Sequence, residues 1–591
     1  MTRKKITLNY LWNLLLHDKK SLIIGQIVTL IAVLLSLPIP LMLPALVDEV
    51  LLEKPAFFVS SIDSLFGSGD AFYYIAIVAF SVILLRFVYF IFNSILSKIF
   101  TKISKYITFK IREKLLKHLQ KVSMNEYETL GSGAIGANLI TDVNTLDNFI
   151  ITTASRFVSS VITLLAISVV MLLIHPMLGL MILIIQPLII LLSKRISKNV
   201  KTLKKEENLS IEKFQDNIGE VLELFGQIKA SNKESYFFNE SIQKAQTIQE
   251  TSNEYNYKSV VYEKFSYTIF LIGFEMIRAA GLLMVVYSDL SIGMMFAMFG
   301  YIWFIMTPVQ DILTMQYSYA STKAALDRIN QILDLKVEPN GEKELEFKNE
   351  CLTIELKNIN FGYSKEKQIL EDISFKIEAR EKVALIGASG SGKTTLAQLI
   401  SGFYTKDSGN TLYNDSSIFD LQRQSIRQNI FLVLQMPILF NNTLRFNITM
   451  GDDSIKDQNI FEALKIAQLA DMIDNMPDGL DTVVGRHGIR LSGGQRQRLS
   501  IARMIIADPK VVIFDESTSA LDVHTEAKLF IALEPILKEK TVITIAHRLS
   551  TVKNAHKIYV LNSGKLVQSG THSELDQEEG HYKEFVKNQL I

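Results

Sequence analysis

A glycine-rich stretch, Gly387-Ala388-Ser389-Gly390-Ser391-Gly392-Lys393-Thr394-Thr395, closes the apolar run that begins at Val383. It fits G-x-x-x-x-G-K-[ST], with Gly387, Gly392, Lys393 and Thr394 in register. Glycines let successive backbone N–H groups curl around phosphate oxygens. Lys393 neutralises those oxygens, and Thr394 offers its hydroxyl to Mg²⁺. The helix that Leu396, Leu399 and Ile400 announce favours an anion at its N-terminus. Further on, Val511-Val512-Ile513-Phe514 reads as a buried strand ending in Asp515 and Glu516. After such a loop, an acidic pair at a strand's C-terminal end suits Mg²⁺ and an attacking water. Taken alone, a carboxylate there is more commonly a helix cap. Between the two lies Leu491-Ser492-Gly493-Gly494-Gln495, followed by Arg496, Gln497 and Arg498. A serine and two glycines opening a helix make either a second phosphate-grade N-terminus or an ordinary N-cap turn.

Rigid elements must hold these groups, and the chain has the length for them. Its 591 residues exceed one core, since cores stop growing near ~250–300 residues. Hydrophobic residues make up 48% and charged residues 21%, which excludes disorder. With 62 basic and 61 acidic residues the net charge is +1, so nothing draws the chain to nucleic acid. The lone cysteine, Cys351, excludes an internal disulfide and a multi-cysteine metal site and reads as a packed strand residue.

The first half carries six apolar runs near the ~20 residues that a membrane crossing needs: 21–46, 72–97, 157–174, 177–193, 266–287 and 292–313. The third and fourth meet at His175-Pro176, a tight hairpin. Arg3, Lys4 and Lys5, the cluster Lys98 to Lys121 and the cluster Lys194 to Lys205 stand on one side. Asp48, Glu49, Glu53, Asp63 and Asp70 stand on the other. The positive-inside rule places both termini and both long connections in the cytoplasm. Those connections are helical in spacing, so the membrane helices continue past the bilayer, with tips expected at 124–130 and 211–218.

The glycine-rich loop, LSGGQ and the Asp-Glu strand, in this order, resemble the nucleotide-binding domain of ATP-binding cassette (ABC) proteins. Six membrane helices ahead of it on one chain are similar to ABC exporter half-transporters. The resemblance covers nearly the whole chain. It implies an all-α polytopic membrane domain of six transmembrane helices with long cytoplasmic extensions, then an α/β P-loop ATPase domain. The implied division is 1–335 membrane domain, 336–350 linker and 351–591 nucleotide-binding domain.

The family's site residues carry over one by one. Tyr363 matches the aromatic that stacks on the adenine of ATP. Gln435 matches the glutamine that ligands Mg²⁺, beside Thr394 and Asp515, and senses the transport domain. Ser492, Gly493, Gly494 and Gln495 match the signature that closes on ATP held by the other subunit. Ser519-Ala520-Leu521-Asp522 matches the loop at the dimer seam. Glu516 is the expected catalytic base, Lys393 the phosphate-holding cation, and His547 the switch that hydrogen-bonds the γ-phosphate. Residues 133–142 and Ala324-Ala325-Leu326-Asp327-Arg328-Ile329 resemble the first intracellular loop and the helix leading into the cassette. One segment departs. Val484-Gly485-Arg486-His487-Gly488 puts Arg486 where exporters commonly carry glutamate.

The resemblance implies ATP-driven efflux or flipping of an amphipathic substrate by alternating access, with ATP binding the closed cassette pair better than the open one. Pairing is required, because the P-loop and signature of one cassette do not close on the same ATP. Intact motifs favour a second copy of the chain over a homologous half-transporter. An ATP-gated regulator or channel is the alternative. The membrane spans exclude a soluble ABC ATPase. Fusion of permease and cassette disfavours an importer, and the short stretch before the first span disfavours a peptide exporter with its own peptidase. The expected place is the bacterial inner (plasma) membrane, among its lipids. The cargo is a lipid or lipid-linked carrier, a drug or a peptide. Arg86 lies inside the second span, and Glu275 and Arg278 lie mid-way along the fifth. Intramembrane charges face the bundle interior or a water-filled cavity. Glu275 and Arg278, three apart, read as an ion pair or, with Arg86, as the lining of a cavity that suits an amphipathic anion.

Overall fold

Long apolar runs propagate helix, and the described residues of the first half are mainly helical. The computed structural model describes residues 5–54, 56–151, 156–184, 198–347, 352–363, 367–485, 488–546 and 549–590. Contacts divide the chain into one unit of Met1–Lys114 with Ala137–Gln331 and a second of Leu115–Gly136 with Ile332–Ile591.

In the first unit, Ala71–Leu119, Glu234–Tyr287 and Ile292–Asp334 run 49, 54 and 43 residues. At 1.5 Å per residue they are about 65–80 Å long, more than twice the ~30 Å hydrocarbon core. Four helical stretches among the described residues are long and apolar enough to cross a membrane: Leu8–Leu51, Ala71–Leu119, Glu234–Tyr287 and Ile292–Ile312. Val158–Ile174 is a further apolar helix. The span expected at 177–193 is helical through 184; its remainder lies outside the described residues. The hairpin before it is tight. Gly179 N–H donates to the His175 carbonyl at 2.8 Å, and a Cβ on Gly179 would stand 2.9 Å from the Met171 carbonyl.

Two helices stand where sequence spacing predicts none, Leu8–Leu15 and Phe57–Phe66. Glu49 accounts for the second by accepting from the N–H groups of Ala56, Phe58 and Val59 at 3.2, 3.2 and 2.7 Å. Asp48 likewise accepts from Gly293 N–H at 2.9 Å, where the Ile292–Asp334 helix begins. Both acids belong to the Lys/Arg-poor side, and both satisfy helix N-termini.

The first tip is the helix Met124–Leu130. The second expectation is corrected. Residues 211–218 lie inside the Lys198–Glu223 helix, and the chain reverses later, through Phe225–Ala230 and Asn232 at φ +52°. Apolar spacing carries the helix past Ile218, and the reversal comes where an asparagine tolerates the left-handed region. The stretch 133–142 is also helical, and Asp142 meets the second family segment directly. Arg328 Nε lies 3.1 and 3.0 Å from the two Asp142 carboxylate oxygens, and its Nη2 lies 2.5 Å from Oδ1.

The second unit is built on two main sheets, with β7 and β8 pairing as a separate two-stranded one. Its strands are β1 Ile354–Phe361, β2 Leu370–Ile377, β3 Lys382–Gly387, β4 Ser408–Tyr413, β5 Ser416–Ser417, β6 Ile430–Val433, β7 Asn442–Thr443, β8 Val483–Val484, β9 Val511–Asp515, β10 Thr541–Ile545, β11 Lys557–Asn562 and β12 Lys565–Gly570. The larger sheet has the order β12-β11-β3-β10-β9-β6 and is parallel except at β12. The smaller, antiparallel at its pairings, has the order β2-β1-β4-β5. Strand β9 is buried along its whole length, so its sequence is an unbroken apolar run rather than an alternation. Leu356 and Phe361 of the smaller sheet share one core with Leu385, Ile513 and Ile543 of the larger.

Residues 336–345, within the expected linker, are stitched into this unit. Gly341 N–H donates to the Leu421 carbonyl and Lys343 N–H to the Asp420 carbonyl, both at 3.0 Å, and Leu345 joins the core. Arg423 Nε donates to the Pro339 carbonyl at 2.9 Å, and Arg427 pairs with Glu338 at 2.7 Å. Ser123 N–H donates to the Lys336 carbonyl at 3.0 Å, so the strip before the first tip pairs with this stretch. Cys351 lies outside the described residues.

Candidate nucleotide site

Strand β3 ends at Gly387, and the helix Lys393–Ile400 starts six residues later with Gly392 as its N-cap. Gly387 (φ +148°) and Gly392 (φ +98°) both require glycine. A Cβ on the first would stand 2.1 Å from the Leu561 carbonyl, and on the second 2.6 Å from a Leu370 methyl. Lys393 is 6% exposed, and its Nζ donates to the Gly387 and Ala388 carbonyls at 2.9 Å each. Burial lowers its pKa, while Glu516 and Asp515 act in the opposite direction. Ser389 and Gly390 form the crest of the loop, and the buried Ser391 hydroxyl has no partner among the described residues. The result is a concave loop with an ammonium at its base and a helix N-terminus behind it, which fits a nucleotide phosphate chain.

Sheet order brings the end of β9 to this loop. Thr394 Oγ1 donates to Asp515 Oδ1 at 3.1 Å. This pair of oxygens fits a hard divalent cation. Gln435, expected beside them, is engaged elsewhere, since its amide donates to Glu516 Oε2 at 2.7 Å. Tyr363 stands beside the P-loop helix. Its hydroxyl is 3.0 Å from Thr395 Oγ1 and 3.3 Å from Gln398 Oε1, and its ring packs edge-on against Phe361 and Tyr404.

Ser492 caps the helix Gly493–Ala507. Its hydroxyl accepts from Gln495 N–H at 3.2 Å, and the Gln495 side chain accepts from Ser492 N–H at 2.8 Å. This is a complete capping box. A Cβ on Gly494 would stand 3.0 Å from Leu521 and 3.1 Å from the Ala520 carbonyl, so the start of the helix lies close on the 519–522 loop. Asp522 caps the next helix through Thr525 N–H at 2.9 Å, and its hydrogen bonds to Thr525 hold its carboxyl low. His547 and the Arg486-His487 pair lie outside the described residues.

Residues 38–309 match the family described as the ABC transporter transmembrane region, and residues 370–519 match the one described as ABC transporter. The ATP-dependent lipid A-core flippase of Legionella pneumophila (strain Paris) is 32% identical over 505 residues, 84% of this chain and 84% of the flippase. The chain belongs to the ABC exporter half-transporters. This exporter is also 32% identical over 485 residues, 81% of its length and 83% of the relative's, to the YgaD protein of Bacillus subtilis, named for multidrug export. A bacterial Atm1-family ABC exporter solved with ATP bound shares the fold, with a TM-score of 0.80 at 23% identity over 99% of both chains. The exporter is thus an integral multi-pass membrane protein, and its cassette is an ATPase coupled to transport.

Three groups of this exporter escaped the motif reading. Gln497 is 3% exposed and bridges the Gln435 carbonyl to Ala520 N–H and the Ser519 hydroxyl; its signal was its place one helical turn past Gly493. Tyr404 on the cassette reaches Glu128 on the first tip, and only the fold brings them together. Asp311 lies within the 292–312 span and accepts from Ser160 Oγ at 2.9 Å; a lone carboxylate in an apolar run was the available signal. Of the three charges singled out, Glu275 and Arg278 pair at 2.5 Å. Arg86 stands exposed, with no hydrogen bond or ion pair among the described residues.

Proposed function

We propose that the chain works as a homodimer that couples ATP hydrolysis to export or flipping of an amphipathic substrate, by alternating access across a bacterial inner membrane with both termini in the cytoplasm. One observation carries the pairing. Among the described residues, no hydrogen bond joins Ser492–Gln495 to the P-loop 387–394 of the same chain. A capped, glycine-opened helix start with no such bond to its own P-loop suits a second copy's nucleotide. Lys393 and the loop N–H groups hold the phosphates, Tyr363 supports the adenine, and Thr394 with Asp515 holds Mg²⁺, which neutralises phosphate charge when bound. Glu516 orients the attacking water and takes its proton, with Gln435 fixing the carboxylate. His547 serves as the γ-phosphate contact. Closure binds ATP better than the open state does, and loss of the γ-phosphate contacts reopens the pair.

The relatives' names span multidrug export and lipid A-core flipping, both amphipathic cargoes. Arg86, Glu275 and Arg278 leave one surplus positive charge per chain, which favours an anionic amphiphile, such as a phosphate-bearing lipid or lipid-linked carrier. The test is purified protein in proteoliposomes, with ATPase stimulation and vectorial transport measured across anionic and cationic amphiphiles. ATP-dependent accumulation with selective loss of the anionic response in Arg86→Ala and Arg278→Ala supports the reading. ATP-dependent leak without accumulation marks a gated channel instead.

A further inference from the structure

Gln497 sits on the helix that Ser492 opens, yet its side chain serves neither that helix nor its cap. Its Nε2 donates to the Gln435 carbonyl at 3.1 Å and to Ser519 Oγ at 3.3 Å. Its Oε1 accepts from Ala520 N–H at 3.1 Å. The circuit then closes on the base. The Gln435 amide holds Glu516 Oε2 at 2.7 Å, and Ser519 N–H donates to the Glu516 carbonyl at 3.1 Å. Three segments far apart in sequence, at 435, 497 and 516–520, are joined in one ring of hydrogen bonds around a residue 3% exposed.

That ring has something to hold. Glu516 has φ +47°, in the left-handed region that a non-glycine residue leaves unless its surroundings fix it. Burial of the Gln497 amide makes its own three bonds costly to leave unmade. We infer that Gln497 is a positioning residue for hydrolysis, keeping Gln435 and the 519–520 turn, and through them Glu516, in register with the signature helix. Resting on the proposed pairing, this makes turnover at a chain's own P-loop depend on how its Ser492 end docks on the partner's nucleotide.

The test uses the full-length protein. Gln497→Met keeps length and volume and removes all three bonds. Gln497→Glu keeps an acceptor for Ala520 N–H and puts a carboxylate against the Gln435 carbonyl. Both are expected to lower kcat at least tenfold, with KM for ATP within about twofold. Lowering the pH protonates the buried Gln497→Glu side chain and restores a donor toward Gln435. Its turnover relative to the native protein therefore recovers between pH 8 and 6, while that of Gln497→Met stays flat. In the double variant Gln435→Ala/Gln497→Met, the loss is expected to be no greater than the larger single loss. Native kcat in either variant, losses that multiply in the double variant, or a pH-independent ratio for Gln497→Glu overturns the assignment. If Gln497→Met does not fold, the pH response of Gln497→Glu decides. Normal turnover in Ser492→Asp overturns the pairing and leaves the role of Gln497 standing.

Discussion

Tyr404 donates its phenolic hydrogen to Glu128, 3.0 Å from one carboxylate oxygen and 2.9 Å from the other. Burial, reinforced by this bond, holds the hydroxyl above the ordinary phenol range. Glu128 lies on the Met124–Leu130 helix and Tyr404 just past the P-loop helix, and the Tyr404 ring packs against Tyr363. Tyr404→Phe keeps that packing and loses a bond of about 1–3 kcal/mol. Basal ATPase is expected to stay within about twofold, while stimulation by substrate falls several-fold. Equal stimulation in variant and native protein would remove this contact from the coupling route.

Glu516→Gln retains a carbonyl oxygen for the Gln435 amide and loses the basic carboxylate. Hydrolysis is expected to fall by about 10²–10⁴, with ATP affinity preserved. Single-turnover hydrolysis and nucleotide-binding titration check this, and near-native turnover would place the base elsewhere.

Lys393→Ala and Ser492→Asp separate the two halves of a composite site. Lys393→Ala removes the ammonium at the base of the loop, so ATP binding weakens more than tenfold. Asp is as good an N-cap as Ser, so Ser492→Asp keeps the helix start and the melting temperature. It places negative charge against the partner's phosphates, so turnover falls at least tenfold. A matching loss of melting temperature would reduce Ser492 to a cap.

Lys406 is 9% exposed, and burial, aided by nearby Arg423, lowers its ammonium from 10.5 to about 8. An ammonium held below its unfolded value destabilises the fold wherever the unfolded chain carries the extra proton. The penalty is complete below about pH 8 and disappears as pH rises toward 10.5. Stacking on Phe419 at 5.1 Å offsets part of it. Lys406→Met leaves Asn410 Oδ1 its bond from Ser417 at 2.9 Å. The variant is therefore expected to be more stable at pH 7 by roughly 1–3 kcal/mol, with the gain shrinking by pH 9.5. Thermal unfolding at the two pH values checks both sign and slope.

Short-range physics made much of this protein legible in one dimension. A run such as 72–97 has the length and polarity for crossing lipid, and the glycines at 387 and 392 permit backbone that side chains forbid. The short, β-branched apolar run at 511–514 suits a strand buried on both faces. Those properties need no knowledge of distant residues. The pairings do. Gln435 takes Glu516 rather than the Thr394–Asp515 pair, and Arg328 takes Asp142. Tyr404 takes Glu128, and Gln497 ties two loops to one helix. Each joins residues separated by 22 to 276 positions. Hydrogen bonds act over about 3 Å, so which donor meets which acceptor waits on the sheet order that sets β3, β10 and β9 side by side.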